Sequence, residues 1–132
     1  MKDTLLRSLD CVRLYVPNLE QALAFYRDQL GLSVAWRSKE AIGLRLPQTD
    51  AELVLQTEHH GLEIDFLVES ADRAAREVEQ AGGKVMVQPF DIQIGRCVVV
   101  RDPWDNELVL LDMSKGQLLT DNDGNILGNA NP

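Results

Sequence analysis

The same run of local signals occurs twice in this sequence, and that repeat constrains the fold more than any other feature. Asn18 precedes a stretch with Leu19, Leu23, Tyr26 and Leu30 at helical spacing, widened by Phe25, and Gly31 closes it. Ser70 precedes a second helical stretch to about Ala81, closed by Gly82 and Gly83. Asn and Ser side chains cap helix starts by accepting a backbone N–H. Glycine takes the left-handed conformation that ends a helix. Asn18 and Ser70 lie 52 residues apart, as do Gly31 and Gly83. Each helix follows one strand-like run, 9–16 or 62–68, and precedes three more. These are 33–37, 41–46 and 51–56 in the first copy, and 84–89, 96–101 and 107–112 in the second. Glu52-Leu-Val-Leu55 recurs as Glu107-Leu-Val-Leu110, now 55 apart, so the second copy is about three residues longer in its middle.

The order predicts an α+β fold of two βαβββ modules, residues 8–56 and 61–113, within one domain spanning 1–113. A polar tail, 114–132, follows. It is rich in Asn, Asp and Gly. A small hairpin around Asn122-Asp-Gly-Asn125 is one expectation for it, and a frayed or exchanged end is the other.

Strand periodicity divides the side chains between two faces. In the first strand Val12, Leu14 and Val16 should meet the helix, leaving Cys11, Arg13 and Tyr15 on the opposite, inward face. The same parity places Glu52 and Val54, then Glu63, Asp65 and Leu67, then Glu107, Val109 and Leu111 inward.

The net charge of −8 argues against nucleic-acid binding, which needs clustered Lys and Arg. No apolar run approaches the roughly 20 residues of a membrane span. The start, MKDTLLRSLD, lacks the apolar stretch of a signal peptide, so a cytoplasmic protein is expected. In that compartment Cys11 and Cys97, both in apolar strand runs, are expected as free thiols.

The segment Val16-Pro-Asn-Leu-Glu-Gln-Ala-Leu-Ala-Phe-Tyr-Arg-Asp-Gln-Leu-Gly31, after Leu9-Asp-Cys-Val, resembles the first strand and helix of the glyoxalase/bleomycin-resistance/extradiol-dioxygenase (vicinal oxygen chelate) superfamily. Val100-Arg-Asp-Pro-Trp-Asp-Asn-Glu-Leu108 resembles its penultimate turn and last strand. The resemblance covers about residues 8–113. It implies a curved mixed sheet around a cavity with helices on the outer face, and commonly a homodimer. It also implies, in enzyme members, one divalent metal held by His and Glu.

The residues at those ligand positions differ. Cys11 and Glu63 stand where the family usually has His, and Val109 where it has Glu, with Glu107 two residues earlier. The two histidines, His59 and His60, fall between the modules and are expected as solvated loop residues. No cofactor is therefore expected. A divalent metal at the degenerate positions Cys11, Glu63 and Glu107 is the alternative. The expected function is metal-free binding of a small molecule, with a cationic antibiotic as one candidate, in an acidic pocket. Ligand contacts are expected from Cys11, Arg13, Tyr15, Trp36, Asp65, Trp104, Glu107 and Val109. Gln93 and Arg96 are further candidates. The competing reading is a metal-dependent lyase, isomerase or dioxygenase, with Glu63 or Glu52 moving a proton. A metal-free enzyme using either glutamate as base is a third.

Overall fold

The computed structural model describes residues 3–130. Residues 1, 2, 131 and 132, the outer ends of the predicted domain and tail, lie outside the described residues. The chain forms two compact units. One comprises residues 10–63 and 119–128, the other residues 3–9, 64–118 and 129–130.

The first unit holds β1 (Ser8–Tyr15), helix α1 (Leu19–Leu23) continuing as a π-helical stretch (Ala24–Gln29), then β2 (Ser33–Arg37), β3 (Ala41–Arg45) and β4 (Glu52–Gln56). The strands lie in the order β2-β3-β4-β1. β1 runs parallel to β4, and the other neighbours are antiparallel. Asn18 caps the helix as expected, its side chain accepting from Gln21 N at 2.9 Å. Leu23, Ile42, Leu44 and Leu55 are fully enclosed between helix and sheet, with Leu14, Val16, Leu19, Tyr26 and Leu53 packed around them. Each enclosed aliphatic side chain contributes roughly 1.5–3 kcal/mol.

The predicted helical stripe holds only as far as Tyr26. Phe25 is 53% and Leu30 57% exposed. Leu30 N bonds back to Phe25 O at 3.0 Å, five residues earlier, and such a wide turn rotates the following residues off the stripe. Leu32 packs on the core instead. The wide turn also corrects the alignment of the repeat. The left-handed residues ending the two helices are Gly31 (φ 84) and Gly82 (φ 103), which are 51 apart, while the N-caps are 52 apart. The first helix carries one extra residue and absorbs it as a π turn. Gly83 has a different duty: a Cβ there would lie 2.6 Å from Arg101 O and from Val78 Cγ1.

The second unit repeats the plan with β5 (Glu63–Leu67, its first residue counted with the first unit), α2 (Ala71–Gln80), β6 (Lys84–Ile92), β7 (Gly95–Arg101) and β8 (Glu107–Leu111), in the order β5-β8-β7-β6. Ser70 caps α2 through Arg73 N at 3.2 Å. Ala71, Ala74 and Ala75 pack on Val68, Val98, Val100 and Leu110. Small side chains let this helix lie close to its sheet. β6 runs through Pro89, where the sequence suggested it would stop. A proline without an N–H is tolerated there because β6 is the outer strand of its order.

Asp112 joins helix to sheet in this unit. It is 4% exposed and accepts from Ala71 N and Arg96 N, both at 2.9 Å, and from Ser114 N at 3.2 Å and Ser114 Oγ at 2.7 Å. Burial raises this carboxyl, but the three backbone donors and the hydroxyl outweigh burial and hold it below the usual carboxylate range. A Cβ at Gly95 would meet Asp112 O and Oδ1 at 2.3 Å, so the glycine is required by close approach.

The tail forms a hairpin of β9 (Leu118–Thr120) and β10 (Ile126–Asn129). Its turn reproduces the turn between β7 and β8. In Asp102–Asn106, Asp102 Oδ1 accepts from Trp104 N and Asn106 N, both at 2.9 Å, and Oδ2 from Asn106 Nδ2 at 2.8 Å. In Asp121–Asn125, Asp121 Oδ1 accepts from Asp123 N and Asn125 N, both at 2.9 Å, and Oδ2 from Asn125 Nδ2 at 3.1 Å. The fourth residue is left-handed in each, Asp105 (φ 65) and Gly124 (φ 88).

Candidate functional site

The face of the first sheet opposite α1 gathers most of the polar residues singled out by parity. β1 pairs with β4 in the register Cys11↔Glu52, Arg13↔Val54 and Tyr15↔Gln56. Cys11, Ala41 and Val54 form a buried cluster on this face, with Trp36 packed against it.

Trp36 reaches the face from β2, crossing over Gly43. A Cβ at Gly43 would lie 2.1 Å from the indole Nε1. Only a glycine leaves room for the ring. The indole N–H donates to Glu52 Oε1 at 2.7 Å. Burial raises the Glu52 carboxyl above its usual range. The Trp36 hydrogen bond opposes this, Asp10 adds to it, and Arg45 opposes it. Asp10 is raised for the same first reason, with the Cys11 side-chain hydrogen bond and the Arg13 charge acting against it. Arg45 is directed elsewhere, its guanidinium donating to Val34 O at 2.5 Å.

Arg13 Nε lies 3.4 Å from Glu63 Oε2, with both side chains about one-quarter to one-third exposed. Next along β1, Tyr15 stacks on His60, with centroids 3.9 Å apart and planes at 26°. Gln56, buried at the end of β4, holds the histidine-bearing loop. Its Oε1 accepts from Glu58 N and His59 N, both at 2.8 Å, and its Nε2 donates to His59 O at 2.5 Å. His60 remains an exposed loop residue, as expected, but its ring lies against Tyr15 at one end of this face. Nothing in residue type or spacing signals this, because the stack depends on the path of the loop.

Cys11, Arg13, Tyr15, Trp36, Glu52 and Glu63 all belong to the first unit. Asp10, Gly43, Gln56 and His60 join them, missed by the parity argument. Asp65 and Val109 are register partners in the second unit, and both are buried. Glu107 in that unit is exposed, and Trp104 stands 79% exposed on the Asp102–Asn106 turn. Arg96 is engaged by Asp72 and Asp91, at 3.1 and 3.2 Å, and by Pro89 O. Gln93 bonds to Asn129 Oδ1 at 2.5 Å. Cys11 and Cys97 are buried and form no disulfide.

Residues 8–110 match the Glyoxalase/Bleomycin resistance protein/Dioxygenase superfamily. The chain belongs to that superfamily. Among curated proteins none matches it significantly. Solved structures share the fold at low identity. Methylmalonyl-CoA epimerase from Mycobacterium tuberculosis is 17% identical with a TM-score of 0.72, over 85% of this chain and 91% of that one. The Streptomyces coelicolor methylmalonyl-CoA epimerase, solved with 2-nitronate-propionyl-CoA, is also 17% identical, with a TM-score of 0.69 over 83% and 99%. Homoprotocatechuate 2,3-dioxygenase from Brevibacterium fuscum is 24% identical with a TM-score of 0.63, over 82% of this chain and 37% of that longer one. At these identities the likeness establishes the shared α+β architecture and no activity. Among the described residues, no helix is long and apolar enough to cross a membrane.

Proposed function

We propose that this superfamily member binds a small, flat, cationic molecule without a metal, on the strand face of its first module. The arrangement of Trp36 over Gly43, donating to Glu52, carries this reading. It sets an aromatic surface beside a half-buried carboxyl. Asp10 and Glu52 are both raised by burial, and among the described residues neither has an Arg or Lys nitrogen at ion-pair distance. A cation arriving between them would supply the missing counter-charge and find a ring face to stack on. The Tyr15–His60 stack bounds the other end of the face.

The metal implied by the fold family finds poor support at the expected positions Cys11, Glu63 and Glu107. Cys11 is a buried thiol bonded to Asp10. Glu63 is engaged by the Arg13 guanidinium, a positive charge that competes with a divalent ion for the same carboxylate. A thiol and carboxylates also prefer different metals. The competing reading, a divalent-metal-dependent lyase, isomerase or dioxygenase, therefore has less support. The raised Glu52 favours one other reading, a metal-independent proton transfer with Glu52 as base.

Calorimetric titration with benzamidinium, benzamide and benzoate tests the proposal, since the three differ mainly in charge. Benzamidinium should bind tightest, and its affinity should rise with pH as Asp10 and Glu52 ionise. Tighter binding of benzoate would refute the reading. Elemental analysis should find less than about a tenth of an equivalent of divalent metal. A stoichiometric ion would favour the metal-dependent alternative.

A further inference from the structure

The proposed site gives no role to the C-terminal hairpin, and the hairpin does not hold itself in place. Two short strands bury little, and an isolated pair is marginal in water. Its turn is seated on the first unit along β2. Gly124 O accepts from Arg37 N at 2.7 Å, and Arg37 forms a parallel bridge with Asn125. A Cβ at Gly124 would lie 2.8 Å from Val34 Cγ1 and 3.4 Å from Trp36 Cα. The turn backbone thus presses on the residue that carries the indole and on the residue two before it.

β2 needs such support. It is the outer strand of its order, and its register on β3 slips between Val34 and Trp36. A slip of this kind re-aims the following side chain but leaves the backbone short of ladder bonds. Here the re-aimed side chain is Trp36. Just past the slip, the bond from Arg37 N ties this outer strand to the tail. The tail's turn is also pre-stiffened by its Asp121–Asn125 hydrogen bonds, in the pattern that closes β7 onto β8.

We propose that the hairpin Leu119–Gly128 is a positioning strap, which fixes β2 at Trp36 and so aims the indole onto Gly43 and Glu52. Only its effect on ligand affinity rests on the function proposed above; the strap itself does not.

The test uses the full chain carrying Trp104→Phe, so that Trp36 is the single indole, with Gly124→Val and Asp121→Ala as perturbations and Asp121→Asn as the conservative control. Gly124→Val puts a branched side chain at φ 88 against Val34 and should shift the strap about tenfold toward release. Asp121→Ala should act in the same direction, and Asp121→Asn, which keeps the Oδ1 acceptor, should restore the parent behaviour. Release should speed amide exchange at Arg37 about tenfold and raise acrylamide quenching of Trp36 emission about two- to threefold, with weaker benzamidinium binding. Unchanged quenching in both perturbing variants would overturn the strap, whatever happens at Arg37. Increased quenching in the perturbing variants, together with a parent chain that never binds benzamidinium, would support the strap and refute the ligand reading instead.

Discussion

Replacing Asp112 by alanine should cost this protein more than any exposed change, and the loss should depend on pH in a defined direction. Asp112 accepts four hydrogen bonds from a position 4% exposed, and one of them, from Ala71 N, fixes the first turn of α2 to the sheet. Removing the carboxylate strands Ala71 N and Arg96 N, whereas the exposed Ser114 can turn its donors to water. Leaving buried donors unpaired costs about 1–3 kcal/mol each before relaxation, so a net loss of about 3–5 kcal/mol is expected. At about 3–4 °C per kcal/mol for a chain of this size, Tm should fall by roughly 10–20 °C. Asp112→Asn should cost about half as much, because its amide would keep the Oδ1 bonds but turn an NH2 toward Ala71 N. The folded protein holds this carboxyl below its unfolded value. Its contribution is therefore complete above the unfolded value, near pH 4, and disappears as pH falls through the folded value. Urea denaturation followed by circular dichroism at pH 7 and near pH 3 measures both quantities. The gap between wild type and Asp112→Ala should narrow on acidification. A loss below about 1 kcal/mol at neutral pH, or a gap that stays constant, would refute the assigned network.

Two further outcomes follow from particular contacts. Gly43→Ala places a Cβ 2.1 Å from the indole Nε1, so Trp36 must leave and its bond to Glu52 must break. Overpacking of this kind should cost about 1–3 kcal/mol in a denaturation experiment and red-shift Trp36 emission; an unshifted spectrum would show that the ring does not lie there. Asp105→Gly should stabilise by about 0.5 kcal/mol, because glycine takes φ 65 without a Cβ penalty, and an unchanged or lower denaturation midpoint would contradict this.

What the sequence made legible was local. Asn18 and Ser70 cap helices because capping needs one side chain and the next few N–H groups. The two-residue period sent Leu14 and Val16 toward α1 and left Cys11, Arg13 and Tyr15 on the other face. The extra residue in the first helix was not legible. A π turn and a continued α turn carry the same hydrophobic residues, and only the exposure of Phe25 and Leu30 separates them. The end of β6 was misread because Pro89 stops a strand only where its N–H is needed. The site was legible in part. Parity placed Glu52 on the right face, but no sequence rule links Trp36 to Gly43, since their contact depends on a register slip in β2. The exposure of His60 was legible, but its stack on Tyr15 was not, because the bonds Gln56 makes set the path of the loop.

The repeat itself explains why the two modules differ on their strand faces. Strand pairing matches Trp36 on Gly43 beside Val54 with Val87 on Val99 beside Val109. Arg45 opposite Glu52 likewise matches Arg101 opposite Glu107. The Arg–Glu pairing is common to both copies, so it speaks for shared ancestry and not for a site. The tryptophan–glycine pair is what differs. A valine facing a valine cannot cross its neighbour, so Val87 stays 48% exposed and Glu107 remains in solvent. In the first copy the missing Cβ of Gly43 admits a ring, and the ring's N–H reaches the equivalent glutamate in a partly desolvated place. Exchanging one Cβ for an indole thus gives the first-copy glutamate a hydrogen-bonding ring neighbour that the second copy lacks. That asymmetry, more than the net acidity of the chain, is the reason the proposed ligand face lies in the first module.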